Sequence, residues 1–213
     1  MKVFFTLDTL INAGTEKSTL DIVSYFSKDT TVKIIYFYPR HDLKEAYEAA
    51  GASLEFLNLK GKYSFFAGIY RLVKLLKKER PDLVVSSIMR ANLISRIACK
   101  ITGTRIAGTF VNDSYGAIRV EEHKQKGQYA KFRFFWLLDK WTSRLCKHWI
   151  SNASCIASSN ASALGLKRND IDVIYRGRDV LKIHAWNNSV IDKSKGFRFV
   201  FIGRLIQRKG ILE

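Results

Sequence analysis

Near the end of the sequence, Val200-Phe201-Ile202-Gly203-Arg204-Leu205 runs into Ile206-Gln207-Arg208-Lys209-Gly210. An apolar stretch ends in glycine, an arginine follows at once, and a lysine stands five residues beyond it. In such a loop the forked guanidinium of Arg204 and the mobile ammonium of Lys209 can face one diphosphate, with Gly203 admitting the ligand to the backbone. A second position with anion chemistry lies near the other end. Gly14 opens a helical stretch with Thr15 and Glu16 behind it; a helix N-terminus there offers N–H groups and a positive dipole end to a ligand. Two bland readings stand beside these: Gly14 serves only a turn, and the cations form a solvated charge run. Asn112 and Asp113 follow an apolar run and fall in a loop where a ligand could bind.

Other chemistries find little support. His41, His123, His148 and His184 form no pair at metal-ligand spacing, and Cys99, Cys146 and Cys155 are scattered, as suits reduced thiols. There is no G-x-G-x-x-G fingerprint, no P-loop and no nucleophile elbow. No metal or other cofactor is expected.

These residues need a scaffold, and the periodicity supplies one. Apolar runs at Lys2–Leu7, Val32–Phe37, Leu54–Leu57, Asp82–Ser86 and Arg105–Phe110 read as strands buried on both faces. Between them the pattern predicts helices from Thr15, which can act as a cap, over 42–50, over 64–79 and over 90–101. Beyond the fifth strand, Val111–Gly127 reads as a polar loop and Gln128–Trp149 as one long helix. A strand near Ser154–Ala157, a helix from Ser159 and a strand near Asp172–Tyr175 complete the first region. Alternating elements with short connections indicate an α/β fold, a doubly wound, mostly parallel Rossmann-like sheet. Ligands of such sheets bind at the carboxyl ends of the strands, which here puts Asp8–Thr15, Ser86–Arg90, Val111–Tyr115 and Tyr175–Asp179 at the candidate site. The expected division is a domain over 1–178, a linker over 179–196, and over 197–213 the first strand and loop of a second domain. One strand and a helical turn cannot bury a core, so that second domain needs further sequence.

The chain carries 36 Lys and Arg against 19 Asp and Glu, a net charge of +17, with 47% hydrophobic residues. A surface of this sign attracts polyanions. Seven cations and one acid lie between Lys60 and Arg80, and eight cations and three acids between Arg119 and Lys147. On the first helix Arg71, Lys74 and Lys78 share a face; on the second Arg133, Lys140, Arg144 and Lys147 cluster. Phe65, Phe66, Tyr70, Phe132, Phe134, Phe135, Trp136 and Trp141 lie among them. Such faces suit an anionic membrane surface, or they are solvated while the rings pack on the sheet. The core reading is favoured for Trp141 and Trp149. No secretory leader and no apolar run long enough to span a bilayer is read in the sequence. The expected setting is cytoplasmic, peripheral on the inner face of a membrane. No nucleic-acid partner is expected, since no such motif occurs.

Four segments together carry a resemblance. Gly203-Arg204-Leu205 with Lys209-Gly210 is similar to the G-R-L-x-x-x-K-G motif of family 4 glycosyltransferases. Val173-Ile174-Tyr175-Arg176-Gly177-Arg178-Asp179 resembles their V-I-x-N-G-V-D stretch. Ala13-Gly14-Thr15-Glu16-Lys17 resembles their G-G-x-E-R loop, and Arg80-Pro81-Asp82-Leu83-Val84-Val85 their K-P-D-V-V-H strand entry. The resemblance implies a GT-B fold, with an acceptor-side domain facing a donor domain that binds a nucleotide-sugar. It implies a retaining transfer to a polysaccharide or other glycan, or to a polyprenyl-lipid-linked acceptor, without a metal. It places Gly203, Arg204 and Lys209 at the donor diphosphate, and Gly14, Thr15, Glu16, Asn112 and Asp113 in the cleft. The sequence departs from the pattern at Ala13, Arg176 and Arg178, and lacks a histidine after the fifth strand. The family's paired glutamates belong to the rest of the donor domain, so residues 1–213 alone are expected to be inactive. The rival reading is a non-catalytic basic α/β module that binds anionic lipid or nucleic acid.

Overall fold

Seven strands, β1 (Lys2–Leu7), β2 (Thr31–Tyr36), β3 (Ser53–Phe56), β4 (Leu83–Ser87), β5 (Ile106–Phe110), β6 (His148–Ser151) and β7 (Ile171–Val173), form one sheet. Their order is β3-β2-β1-β4-β5-β6-β7, and every pairing is parallel. This is a computed structural model that describes residues 1–61, 64–177 and 201. Residues Met1–Tyr175 make up one compact unit. The expected linker, Gly203, Arg204, Lys209 and, apart from Phe201, the expected strand over 197–202 lie outside the described residues.

Seven α-helices accompany the strands: α1 (Gly14–Ser24), α2 (Lys44–Ala49), α3 (Phe65–Glu79), α4 (Met89–Thr102), α5 (Ala117–Gln125), α6 (Tyr129–Ser143) and α7 (Ser154–Leu164). Alternation along the strands divides the core in two. On β1, Val3, Phe5 and Leu7 point to one face, where Val23 of α1 and Tyr47 of α2 cover them. Phe4 points to the other, against a larger cluster that includes Leu72 and Leu76 of α3, Ile94 of α4, Phe132 of α6 and Leu164 of α7. Both faces of β1 and β2 are therefore shielded, which is why these strands read as continuous apolar runs.

Several expectations need correction. Val111–Gly127 is not all loop, because it contains α5; that helix buries none of its residues, so it has no apolar stripe to read. The long helix expected over 128–149 stops at Ser143, and Trp149 belongs to strand β6. The strand expected at Ser154–Ala157 is instead the start of α7, whose small residues give little periodic signal. Thr15 does not cap α1: Ala13 stands at the N-cap with extended backbone, and Thr15 lies inside the first turn. Trp149 is buried as expected, but Trp141 is 65% exposed. Among the described residues, no helix is long and apolar enough to cross a membrane.

Candidate functional site

The strand order reverses between β1 and β4, and connections leave in opposite directions from that seam. Such a crevice is where parallel α/β sheets bind ligands. Asp8 follows β1 at this point and is 5% exposed. Its main-chain carbonyl accepts hydrogen bonds from the N–H groups of Phe37 and Tyr38, which ties it to the end of β2. Its carboxylate reaches across the seam. Arg90 Nε donates to Oδ2 at 2.9 Å and the Ala91 N–H donates to Oδ1 at 3.0 Å. Ala91 lies in the first turn of α4, so the residue just after β1 caps the helix that follows β4. Burial pushes the Asp8 carboxyl above its ordinary value; the Arg90 charge and the two hydrogen bonds pull the other way without cancelling the rise.

Glu16, in the first turn of α1, is 3% exposed. Its carboxyl is also raised, first by burial and further by the charge of Asp8, against a lowering hydrogen bond from its own backbone. Two buried acids thus share one electrostatic neighbourhood at the seam. The Tyr47 hydroxyl donates to the Glu16 carbonyl at 2.6 Å and fixes this turn from α2. Gly14 is exposed, and a Cβ built on it meets no described atom within 4 Å. The Gly14 backbone is not left-handed and no described atom crowds the position, so neither accounts for the glycine there.

On the β4 side, Ile88 takes φ 72° and ψ 148° immediately before α4. A β-branched residue held at positive φ carries strain of about 1–3 kcal/mol, the sort that concentrates at ligand sites. Ser86 donates to Asn92 Oδ1 at 2.5 Å, Ser87 and Thr109 share a hydrogen bond of 2.8 Å, and Arg90 lies over the Tyr38 ring at 4.8 Å.

After β5, the Asn112 carbonyl accepts from Asn160 Nδ2 at 3.0 Å, and Asp113 Oδ1 accepts from the Ser159 hydroxyl at 2.7 Å. α7 therefore pins the loop. Gly116 leaves room for this arrangement: an added Cβ would sit 2.1 Å from the Asp113 carboxylate and would have to displace it. Asn112 lines a cavity of about 90 Å³ of mixed character, with Asn92, Ser114, Asp139 and Asn160 on one hand and Met89 and Phe110 on the other. Beside it, and sharing Ile88, Met89 and Arg119 with it, opens a chamber of about 330 Å³ bounded by Asp8, α3, α5 and α6. A third hollow, of about 440 Å³, lies on the far side of Arg90 between Tyr38 and Lys60.

Thr15, Glu16, Asn112 and Asp113 thus stand with Gly14 on loops and helix starts at the carboxyl edge of the sheet. Sequence reasoning put Asp8 in the candidate loop Asp8–Thr15 but gave no role to it, nor to Arg119, Lys131 or Asn160. Asp8 carried a signal, as a charge directly after a strand buried on both faces. The other three converge only through the packing of α5, α6 and α7. The proposed membrane-facing cations divide. Lys74, Lys78, Arg133 and Arg144 are exposed, and Lys140 is half-buried. Arg71 is exposed, but its guanidinium turns back to donate to the carbonyls of Leu57 and Asn58.

The chain is a Rossmann-like α/β domain with hollows at the carboxyl edge of an all-parallel sheet. A family model described as Glycosyltransferase Family 4 matches residues 13–181, and the chain belongs to that family. No curated protein matches the sequence. Among solved structures, HepE of Anabaena in complex with UDP is similar over 85% of this chain and 45% of its own, at 19% identity and a TM-score of 0.64. The apo lipopolysaccharide outer core galactosyltransferase WaaB is similar over 82% and 45%, at 16% identity and TM-score 0.57. A UDP-GlcNAc 2-epimerase of Neisseria meningitidis bound to UDP-GlcNAc is similar over 81% and 46%, at 12% identity and TM-score 0.57. The chain spans less than half the length of these proteins. The likeness to the two glycosyltransferases identifies the fold as that of a GT-B domain.

Proposed function

We infer that this chain provides the acceptor-side domain of a retaining glycosyltransferase, which moves a sugar from a nucleotide-sugar to a glycan or lipid-linked acceptor. The observation that carries this reading is the family match over residues 13–181, falling on a domain whose hollows gather at the strand-order reversal. HepE in complex with UDP-glucose supports a uridine-nucleotide donor by likeness of fold. In this reading Gly203, Arg204 and Lys209 bind the donor diphosphate, and Gly14 with its helix start serves the reacting groups. In the transfer, the acceptor oxygen bonds to the anomeric carbon on the face that the diphosphate leaves. The departing diphosphate takes the acceptor's proton, and the cations stabilise its charge. No metal is needed for that role.

The exposed cations of α3 and α6 stand among exposed apolar side chains: Phe66 and Tyr70 on α3, and Phe134, Leu137 and Trp141 on α6. Basic stems beside rings suit the headgroup region of an anionic leaflet. This reading places the protein on the inner surface of a cytoplasmic membrane.

The transfer reading is tested in the complete two-domain protein by following labelled sugar from nucleotide-sugars into lipid and glycan acceptors. A charge-assisted phosphate contact contributes about 1.5–3 kcal/mol, so Arg204→Ala and Lys209→Ala should each lower turnover by about ten- to a hundredfold. Unchanged turnover in the double variant removes the two cations from the diphosphate site. Residues 1–213 alone should transfer nothing, and turnover by them would overturn the division of labour between the domains.

A further inference from the structure

One helix is held differently from its neighbours in sequence. α5 buries none of its 9 residues, whereas α3, α4, α6 and α7 each bury three or more. Side-chain contacts hold it to the body. Val120 packs partly buried against the larger core cluster, and the His123 ring lies on the Phe132 ring with centroids 4.5 Å apart and planes 22° apart. Arg119 and Glu122 are engaged as well. A glycine stands near each end: Gly116 at the N-cap, and Gly127 just past the C-cap with φ at +63°. Left-handed backbone suits glycine, and a Cβ built on Gly127 meets no described atom within 4 Å. Torsions at such element ends can change without moving a side chain, which is how hinges work.

Through Arg119 and His123, α5 forms one wall of the chamber of about 330 Å³. The smaller cavity borders that chamber at Ile88, Met89 and Arg119. Two of these three are fixed. Ile88 is held in its positive-φ turn, and Met89 opens α4, whose first turn Asp8 fastens to the end of β1. Arg119 is the one of the three that rides on α5. Asn160, on the cavity lining, is fully buried. Its Nδ2 makes two hydrogen bonds, while its Oδ1 has no partner among the described residues. A buried carbonyl oxygen in that state is satisfied by a donor from outside, water or a hydroxyl, and such a donor needs a way in.

We propose that α5 is a lid: it swings about Gly116 and Gly127, withdraws Arg119 and His123 from the chamber, and so opens the passage to the cavity that Asn160 lines. The stack of His123 on Phe132 latches it shut. A helix that buries no residue gives up little apolar contact when it leaves the body, and the opposite wall stays in place because Asp8 joins β1 to α4. Closed, the lid keeps bulk water from whatever occupies the hollows. The motion belongs to this chain alone and does not depend on the transferase reading.

The test uses this chain with Cys155→Ser, which leaves the buried Cys99 and Cys146 as the native thiols. Asn160→Cys is added, and a methanethiosulfonate reagent is followed at each cysteine by mass spectrometry. If the lid opens, Cys at 160 should react at least about tenfold faster than Cys99 and Cys146, which are reached by unfolding of the core. His123→Ala removes the latch. An aromatic stack shifts an equilibrium by about two- to tenfold, so the rate at 160 should rise by that factor while the rates at Cys99 and Cys146 stay the same. Thermal unfolding checks each variant, and Thr109→Cys, on the same cavity lining, replaces Asn160→Cys if that variant does not fold. Spin labels at Gln125→Cys on α5 and Tyr70→Cys on α3, both exposed, separate a swing of the helix from fraying. Pulsed electron resonance should give two distances, the second gaining population in His123→Ala. A single narrow distance in both proteins would overturn the lid. A rate at 160 no faster than that of Cys146, or unchanged by His123→Ala, would do so too. An equal rise at all three cysteines would replace the lid by general loosening of the fold.

Discussion

Replacing Arg96 by methionine isolates the strongest electrostatic commitment in the core. Arg96 is fully buried in α4. Its Nη1 donates to Asp139 Oδ1 at 2.6 Å and to Thr142 Oγ1 at 3.1 Å, and its guanidinium lies over the Trp149 ring at 4.6 Å. The Tyr115 hydroxyl donates to the other Asp139 oxygen. R96M keeps the unbranched stem but strands a carboxylate that is 5% exposed, with Tyr115 as its remaining strong donor. Removing one partner of a buried pair costs about 3–5 kcal/mol. At about 2–4 °C per kcal/mol for a domain of this size, the melting temperature should fall by about 6–20 °C. D139L should cost a similar amount, because it leaves the guanidinium charge buried beside Trp149 and Thr142. In the double variant R96M/D139L neither charge remains. The main residual cost is the Tyr115 hydroxyl without its acceptor, about 1–3 kcal/mol. Nε and Nη2 of Arg96 have no hydrogen-bond partner among the described residues, so the pair is incompletely compensated and its joint removal is cheap. Urea titration followed by tryptophan fluorescence gives the three stabilities. The singles should exceed the double, a coupling of about 3 kcal/mol or more. Losses that add within about 0.5 kcal/mol would refute the reasoning, since independent sites behave that way.

Two further outcomes follow from the site and the surface. Gly14→Ala should leave the melting temperature of this chain unchanged within about 2 °C, because the new methyl meets no described atom within 4 Å and alanine suits a helix start. In the complete protein the same change should lower turnover, and turnover equal to wild type would remove Gly14 from the cleft. This chain should sediment with anionic vesicles at low salt and lose most of that binding as the Debye length shrinks from about 10 Å towards 3 Å, with little binding to neutral lipid. Equal or absent binding under all conditions would remove the membrane assignment.

How much of this was legible in the sequence depended on how each element buries its residues. β1, β2, β4 and β5 announced themselves because both faces are covered, so the apolar run is unbroken. α3 was legible because Leu72 and Leu76 recur on one side, with cations on the other. α5 was not, since it rests on the surface with no buried residue. The stop of α6 at Ser143 was missed because neither glycine nor proline marks it, and β6 is only four residues long. Gly14 and Glu16 could be placed at the carboxyl edge from strand and helix order alone. The chamber could not, because Arg90, Arg119 and Lys131 sit on three different helices and no local spacing connects them.

The carboxylate of Asp8 fastens the end of β1 to the first turn of α4 across the line where the two halves of the sheet diverge. A parallel sheet has no covalent link at such a line, and β1 and β4 are joined there by backbone pairing that ends at Thr6 and Ser86. The Asp8 side chain carries the connection two residues past Thr6, like a stitch at the mouth of a tear. The width of the crevice is therefore set before any ligand arrives, and a ligand that enters it pays little ordering entropy from this wall. Any gating motion over the crevice then has to come from elements other than β1 and α4, which Asp8 obliges to move as one piece.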